Sequence, residues 1–342
     1  MRALDKVERA RKWGLVDPLE GIDFTGVDLI GEFLEELEIK GRSPNTIHNY
    51  ELILRQFEQH IENDKSGVHV GKATDQDVFS WKKELTKRGL SGSTLEMYLT
   101  SLASFYNFLI ESPLYPHVYN PASKTRGSIK INNDGRTVRR EVGVDEMAEF
   151  VRFIKHPRDR AMMVLLLKTG IRRTELANLK VRHVALGDDL KGKQVGLKPM
   201  SIFVDSSMPG SKRKTDTTIP IDDECVRALS TWMTIRPSSS TDALFVQLNY
   251  GGGFGGERVT RRVRKWARKY GWWDPNADLT TNVTPHYFRH FFTSHMRKRG
   301  MDEPLLAYLR GDTGKNIIDI YTHYSWDEIR EQYDRHIYKF GI

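Results

Sequence analysis

The feature that most constrains the fold is a series of apolar residues, spaced three and four apart, that continues with short breaks over residues 29–109. This spacing gathers apolar side chains on one face of a helix. Four helices are predicted, because capping residues and turns interrupt the series near Ser43, Asp75 and Ser93. Four such helices with short connections favour an all-α bundle over residues 25–112.

A turn-rich segment separates this bundle from a larger second region. Residues 113–135 combine prolines, asparagines and glycines with few apolar residues, a composition typical of a linker. Residues 1–24 are predicted to be a charged lead-in, and residues 136–342 a second domain. Between helical patterns it holds three strand-like runs, Val181–Leu186, Ser201–Val204 and Thr217–Ile221. The expected fold is mainly α with a small antiparallel β-sheet: an N-terminal helical bundle, then a mixed α+β domain that ends in a tail helix.

Charge and cysteine content narrow the class of protein. The 342 residues include 53 Lys and Arg against 45 Asp and Glu, a net charge of +8 that favours a polyanionic partner. The one cysteine, Cys225, excludes an intramolecular disulfide and a multi-cysteine zinc site. No apolar run approaches the roughly 18 residues of a membrane span, and the charged N-terminus lacks the apolar core of a signal peptide. We therefore expect no membrane partner and a cytoplasmic location.

Residues 258–269 form the most basic segment, with seven Lys and Arg and no acid. On a helix, Val259, Val263, Trp266 and Tyr270 fall within one narrow arc, and most of the cations lie opposite. A cationic stripe without alternating acids favours contact with phosphate, although a solvated face is the alternative. The residues expected to contact phosphate are Arg258, Arg261, Arg264, Lys265 and Arg268.

Two arginine motifs in the second domain suit phosphate chemistry. Arg172 follows a Thr-Gly-Ile sequence at the predicted start of a helix, and Glu175 lies one turn later, where its carboxylate can orient the guanidinium. In the sequence Thr-Pro-His-Tyr-Phe-Arg, His286 and Arg289 share one face of a helix. Such a pair can transfer a proton and bind phosphate through two hydrogen bonds. Each motif alone also fits an ordinary ion pair or a capped helix start.

Three further features are weaker when taken singly. Lys212 and Lys214 lie in a predicted hairpin turn, and a loop lysine can act as a general acid. Tyr321, in an Ile-Tyr-Thr-His sequence, is by itself typical of a packed aromatic residue. His290 and His295 raise the question of zinc, but the HExxH pattern and nearby acid or thiol ligands are missing, so no metal is predicted.

In this order and at these separations, the motifs resemble those of the tyrosine recombinases of the phage integrase family. The resemblance runs over roughly residues 25–340 and suggests an archaeal or viral type. It implies a core-binding domain and a catalytic domain that clamp duplex DNA. It further implies a site-specific recombinase that needs no metal or other cofactor. A homotetramer on DNA is expected, and a monomer is possible when the protein is free.

The resemblance also implies roles for individual residues. Tyr321 attacks the scissile phosphate and forms a 3′-phosphotyrosyl bond. Arg172 and Arg289 neutralise the non-bridging oxygens in the transition state. Lys212, with Lys214 as the alternative, protonates the departing 5′-oxygen. His286 handles the tyrosine proton.

The sequence departs from the family at Asp312, where a Leu-Gly-His turn is usual. A carboxylate there should repel phosphate, so three interpretations stay open. Asp312 orients a neighbouring Arg or His, which we favour; His290 or His323 substitutes for the missing histidine; or activity is reduced. The departure also supports a rival function, a non-cleaving DNA-binding protein of the same fold. A topoisomerase of the same chemistry and a metal-dependent nuclease are further alternatives.

The end of the chain is predicted to be a helix, because Trp326, Ile329, Tyr333 and Ile337 recur at helical steps. The resemblance implies that this tail docks on a neighbouring protomer. Packing against its own domain is the alternative.

Overall fold

The computed structural model describes residues 24–64, 68–115, 119–123, 140–187, 197–249, 251–277, 281–312 and 324–342. The chain divides into two units, Met1–Arg136 and Thr137–Ile342, each with its own core. The predicted lead-in, except for its last residue, and most of the predicted linker lie outside the described residues. None of the described helices is both long enough and apolar enough to span a bilayer.

The N-terminal unit is the helical bundle that the periodicity predicts. Its helices are α1 (Leu29–Ile39), α2 (Pro44–Asp64), α3 (Asp75–Lys87) and α4 (Gly92–Glu111). Side-chain caps fix their starts: the Ser43 hydroxyl accepts from the Thr46 N–H, and the Ser91 hydroxyl from the Thr94 N–H. The apolar faces meet in one core that includes the fully buried Leu54, Phe57 and Phe105.

The C-terminal unit is mixed. Its helices are α5 (Val144–Phe153), α6 (Pro157–Thr169), α7 (Arg173–Asn178), α8 (Asp223–Ile235), α9 (Gly256–Tyr270), α10 (Pro285–Lys298), α11 (Glu303–Arg310) and α12 (Trp326–His336). The strands β1 (Val184–Ala185), β2 (Ser201–Val204) and β3 (Thr217–Pro220) form one antiparallel sheet in that order, with Ile202 opposite Val184 and Ile219. The predicted first strand is shorter than expected, because Val181–His183 form a 3-10 turn. The predicted fold class is confirmed.

Helix α6 is the centre of this unit. Residues 161–169 are all buried, so the helix is covered on every side, and α8 and α10 pack against it. Its end is set by Gly170, whose φ of +62° is left-handed. A Cβ at this position would lie 2.4 Å from Cδ1 of Phe292 on α10. The turn between α6 and α7 therefore packs closely against α10.

The tail packs against its own unit, the alternative to docking on a neighbour. Ile329 and Tyr333 of α12 are buried, as are Tyr338 and Phe340 beyond it. The buried ammonium of Lys168 on α6 explains the attachment, because it donates to the backbone carbonyl of Tyr338. It also lies 2.8 Å from Oδ2 of Asp222 and 2.6 Å from Oε2 of Glu224. We call Lys168, Asp222, Glu224 and the backbone of residues 338–342 the Lys168 cluster.

Candidate active site

The turn between α6 and α7 positions Arg172. Arg172 is the last residue before α7, and its N–H donates to Oε2 of Glu175 at 2.8 Å. Its Nη1 donates to the other oxygen of the same carboxylate at 3.1 Å. Glu175 is fully buried, so the carboxylate holds the guanidinium from inside the unit. The structure thus contains the Arg172–Glu175 pair that the sequence motif predicts.

Helix α10 brings Arg289 to the same place. Thr284 caps this helix by accepting from the Tyr287 N–H, and Pro285 is its first residue. Nη1 of Arg289 donates to the carbonyl of Gly170 at 2.7 Å and to that of Arg310 at 2.8 Å. Nη1 of Arg172 also donates to the Arg310 carbonyl, at 3.4 Å. Both predicted arginines therefore meet at the C-terminal end of α11.

Asp312 joins three guanidinium groups. Its Oδ1 accepts from Nη2 of Arg289 at 2.6 Å and lies 3.6 Å from Nη2 of Arg172. Its Oδ2 lies 3.1 Å from Nη1 of Arg310. We call Arg172, Arg289, Arg310 and Asp312 the arginine cluster. The sequence around Arg310 gives no signal for a binding site, because a basic residue in the last turn of a helix is common without any ligand.

The arginine cluster holds more positive than negative charge. Burial lowers the pKa of Arg289 to about 10, and the positive charges of Arg172 and Arg310 act in the same direction. Asp312 opposes them but does not cancel them. Arg289 is therefore still a cation at neutral pH, held against two like charges. An anion bound here would relieve this repulsion and accept hydrogen bonds from the guanidinium groups.

The turn that carries Lys212 and Lys214 is anchored by the residue between them. Nε of Arg213 donates to Oε1 of Glu175 at 3.1 Å, and its Nη2 donates to the carbonyl of Leu309 at 3.0 Å. Arg213 is buried, whereas both lysines are exposed. This anchoring was not predicted, and it ties the lysine turn to the carboxylate that also holds Arg172.

The remaining predicted residues divide into two groups. His286 lies in the first turn of α10, one turn from Arg289, and its side chain is exposed. Tyr321, the predicted nucleophile, and His323 lie outside the residues that the structure describes. Within the described ranges, no group of three or more His, Cys, Asp or Glu side chains is arranged to hold a metal ion.

The basic segment is helix α9, and its two faces are separated as predicted. Val259, Val263 and Trp266 are buried, and Nε1 of Trp266 donates to Oδ2 of Asp159 on α6 at 2.9 Å. Of the five predicted phosphate contacts, Arg258 is half-buried, and the exposed ones are Arg261, Arg264, Lys265 and Arg268.

The first turn of α9 packs against α7, beside Arg172. Nη1 of Arg173 lies 2.6 Å from the Thr260 hydroxyl and 2.8 Å from Oε1 of Glu257. A cavity of about 530 Å³ opens along a neighbouring face of α9. Its basic lining residues are Arg158, Arg258, Arg261, Arg262 and Lys265. The first turn of α9 is thus held by Arg173, the residue that follows Arg172 in the sequence.

Comparison with known proteins adds two family matches. Residues 141–327 match the model of the Phage integrase family, and residues 30–112 match that of the phage integrase N-terminal SAM-like domain. The chain is 26% identical to the tyrosine recombinase XerD of Staphylococcus epidermidis over 312 residues, which covers 89% of this chain and 97% of that protein. It is also 26% identical to the tyrosine recombinase XerA of Pyrococcus horikoshii over 310 residues, 90% of this chain and 93% of that one.

Solved structures show the same fold. An integrase of the transposon Tn1549, in complex with a circular intermediate DNA, superposes with a TM-score of 0.64 at 20% identity, covering 90% of this chain and 98% of that one. A lambda integrase dimer bound to a COC' core site superposes with a TM-score of 0.63 at 16% identity, covering 95% of this chain and 87% of that one.

Proposed function

The chain belongs to the phage integrase family, and on this premise we propose that it is a site-specific DNA recombinase that cuts and rejoins DNA through a 3′-phosphotyrosyl intermediate. The observation that carries the proposal is the meeting of Arg172 and Arg289 at the Arg310 carbonyl. Their donors come from helices far apart in sequence and converge beside Asp312 with an excess of positive charge. A phosphodiester is the anion that such a cluster suits in a DNA recombinase.

The chemistry follows from the roles of these side chains. The Tyr321 hydroxyl attacks phosphorus, the bond to the 5′-oxygen breaks, and the tyrosine proton passes to His286. Lys212, or alternatively Lys214, gives a proton to the departing 5′-oxygen. Arg172 and Arg289 donate to the non-bridging oxygens as their charge grows. A 5′-hydroxyl of the partner duplex reverses these steps, so the covalent bond conserves the phosphodiester and no cofactor is required.

Asp312 acts in this scheme as a positioning residue. Its contact of 2.6 Å with Nη2 of Arg289 supports the orienting role over the two other interpretations of this position. Asp312→Ala should therefore slow cleavage by loosening Arg289, and the conservative Asp312→Asn should restore part of the rate. Unchanged cleavage and joining in Asp312→Ala would exclude the orienting role.

The partner is duplex DNA, bound in part through the exposed cations of α9. We propose that the protein is a monomer when free and assembles as a homotetramer on DNA, and that it works in the cytoplasm on chromosomal or viral DNA. Sedimentation of the free protein and of its DNA complex tests the change in assembly state.

A covalent adduct is the decisive test. The protein is incubated with DNA flanking its gene, and fragments that stay attached in denaturant are sequenced to locate the site. A duplex of that site, nicked near the scissile phosphate, then traps the intermediate. The wild-type protein should form the adduct in the presence of a chelator, and Tyr321→Phe should form none.

A matched control is available in Tyr324, whose hydroxyl donates to Oδ2 of Asp302 at 2.7 Å. Tyr324→Phe should keep the adduct. Tight binding with no adduct in the wild-type protein would instead establish the non-cleaving DNA-binding protein. An adduct that relaxes supercoiled DNA but never joins two sites would establish a topoisomerase.

A further inference from the structure

Arg310 is the member of the arginine cluster to which the mechanism gives no role. It is the last residue of α11, two positions before Asp312. Its carbonyl accepts from both Arg289 and Arg172, so its backbone lies at the centre of the cluster. Its guanidinium lies on the same side as that of Arg289, because Nη1 is 3.1 Å from the carboxylate that Arg289 also contacts.

The surroundings of the Arg310 side chain are incomplete. The side chain is 26% exposed, and its guanidinium has Asp312 as its one ion-pair partner in the described part of the chain. Its Nε is buried and has no hydrogen-bond partner among the described residues. A buried donor without an acceptor is unfavourable, so this position favours a ligand that supplies an oxygen.

Charge counting leads to the same conclusion. Arg172 and Arg213 share the carboxylate of Glu175. Arg172, Arg289 and Arg310 face that of Asp312, so that four guanidinium groups meet two carboxylates among the described residues. One phosphodiester brings one negative charge and would still leave the cluster positive. Asp312 itself cannot donate a hydrogen bond to that phosphate when it is ionised. The guanidinium of Arg310, which Asp312 holds, can donate one.

Building on the proposed function, we infer that Arg310 is a third phosphate-binding arginine. Asp312 holds its Nη1, and the remaining donors of the guanidinium contact a non-bridging oxygen of the scissile phosphate. The Arg310–Asp312 pair thus supplies the hydrogen bond that a lone carboxylate at position 312 cannot donate. Arg310 is a catalytic residue in this inference, and Asp312 positions it together with Arg289.

The test measures single-turnover cleavage of the nicked duplex by Arg310→Met, which keeps an apolar stem and removes the charge. The rate should fall by about 100-fold, the typical effect of removing one donor to a developing oxyanion. The matched control is Arg297→Met. Arg297 of α10 is ion-paired with Glu303, at the other end of α11 from Arg310. This control should cleave at the wild-type rate.

A second substrate separates a phosphate contact from a structural role. In a methylphosphonate the scissile group is neutral, so an arginine that neutralises phosphate is no longer needed. The 100-fold difference between wild type and Arg310→Met should shrink to about threefold on this substrate. An equal defect on both substrates would show that Arg310 does not act on the charge of the phosphate, and would overturn the inference. A defect that Asp312→Ala reproduces in full on both substrates would show that Arg310 acts only through Asp312 and Arg289, and would overturn it as well.

The remaining outcomes are also informative. If the wild-type protein forms no adduct, the proposed function fails, and the inference fails with it. If the wild type cleaves and Arg310→Met cleaves equally fast, the inference alone is overturned.

If Arg310→Met does not fold, Arg310→Lys takes its place. The retained charge should give an intermediate rate on the phosphate and nearly the wild-type rate on the methylphosphonate. If neither protein cleaves the methylphosphonate, binding of both duplexes in a Tyr321→Phe background decides. The neutral group should weaken binding more when Arg310 is present than in Arg310→Met, and an equal loss in the two proteins would overturn the inference.

Discussion

Two clusters of charged side chains in the C-terminal unit differ in how completely their groups are paired. In the Lys168 cluster, two carboxylates and a backbone carbonyl surround one ammonium, and all three side chains are buried. In the arginine cluster, three guanidinium groups lie around the carboxylate of Asp312, and among the described residues Arg172 alone has a second acidic partner, Glu175. Three of the four side chains are between 23% and 31% exposed. Among the described residues, the charges of the Lys168 cluster are matched by partners and those of the arginine cluster are not.

The difference indicates what each cluster is for. The N–H groups of Phe340, Gly341 and Ile342 donate to Glu224, so the Lys168 cluster joins α6, the start of α8 and the end of the chain. The charged groups of this cluster therefore stabilise the packing of these elements. The excess charge of the arginine cluster has no equivalent partner in the described residues and suits an anionic ligand. Both clusters consist of basic and acidic side chains. They differ in the number of cations for each carboxylate.

Removing the cation of the Lys168 cluster should have the largest effect on stability. Lys168→Met removes the buried cation from two buried carboxylates, and Asp222 keeps only the exposed ammonium of Lys339, at 3.2 Å. This change should lower the free energy of unfolding by about 3–5 kcal/mol. Urea denaturation followed by circular dichroism measures this change. Lys155→Met, at an exposed lysine just before α6, is the control and should be nearly neutral. If Lys168→Met were as stable as the control, the contrast between the two clusters would disappear.

Removing a cation of the arginine cluster should instead affect activity. Arg172→Ala should slow adduct formation by about 100- to 1,000-fold, because the variant lacks a donor to the developing charge. Its stability should change much less than that of Lys168→Met, since Arg172 is partly exposed and its removal relieves repulsion with Arg289. Single-turnover cleavage and urea denaturation on the same preparation separate the two effects. A variant that lost stability in proportion to activity would make this cluster structural as well.

The sequence predicts the parts of the arginine cluster that depend on local spacing. Arg172 with Glu175, and the position of Arg289 on α10, follow from helix periodicity. The same holds for the buried arc of Val259, Val263 and Trp266. The roles of Arg310 and Lys168 depend on contacts over 138 and 54 residues, respectively. A periodic pattern does not indicate which side chains will contact each other over such separations, or which backbone carbonyls will accept their hydrogen bonds. These contacts are therefore seen only in the structure.

A smaller effect is expected from acid, again in the Lys168 cluster. Burial on its own raises the pKa of Glu224, but hydrogen bonds from Lys168 and from the N–H groups of Phe340 and Ile342 outweigh it, and the net pKa lies below the ordinary 4.5. Glu224 therefore stabilises the fold fully above that ordinary value, and this contribution is lost as the pH falls through the lowered pKa.

The measurement is a series of urea denaturations from about pH 6 down to about pH 3. The wild-type protein should lose stability over the acid end of this range. Glu224→Gln should start from a lower stability and show a flatter dependence on pH. Parallel curves for the two proteins would mean that Glu224 does not have a lowered pKa in the folded state.

The smallest effect is expected in α9. There we ask whether cations without an acidic partner bind phosphate, as we propose for the arginine cluster. Arg261, Arg264 and Lys265 are exposed, and α9 carries one acid, Glu257, which is paired with Arg173. Each glutamine substitution at these cations should weaken binding to every duplex alike. It should also reduce the slope of log affinity against log salt by about 0.9 for each phosphate that the protein no longer neutralises.

Fluorescence anisotropy at several salt concentrations gives this slope. Arg335→Gln is the matched control, because Arg335 is an exposed arginine of α12 that is already paired with Glu331. An equal change in slope for the control and for Arg261→Gln would mean that binding responds to net charge alone. A change confined to α9 would show that the phosphates bind to cations without an acidic partner among the described residues, and not to those that are already paired.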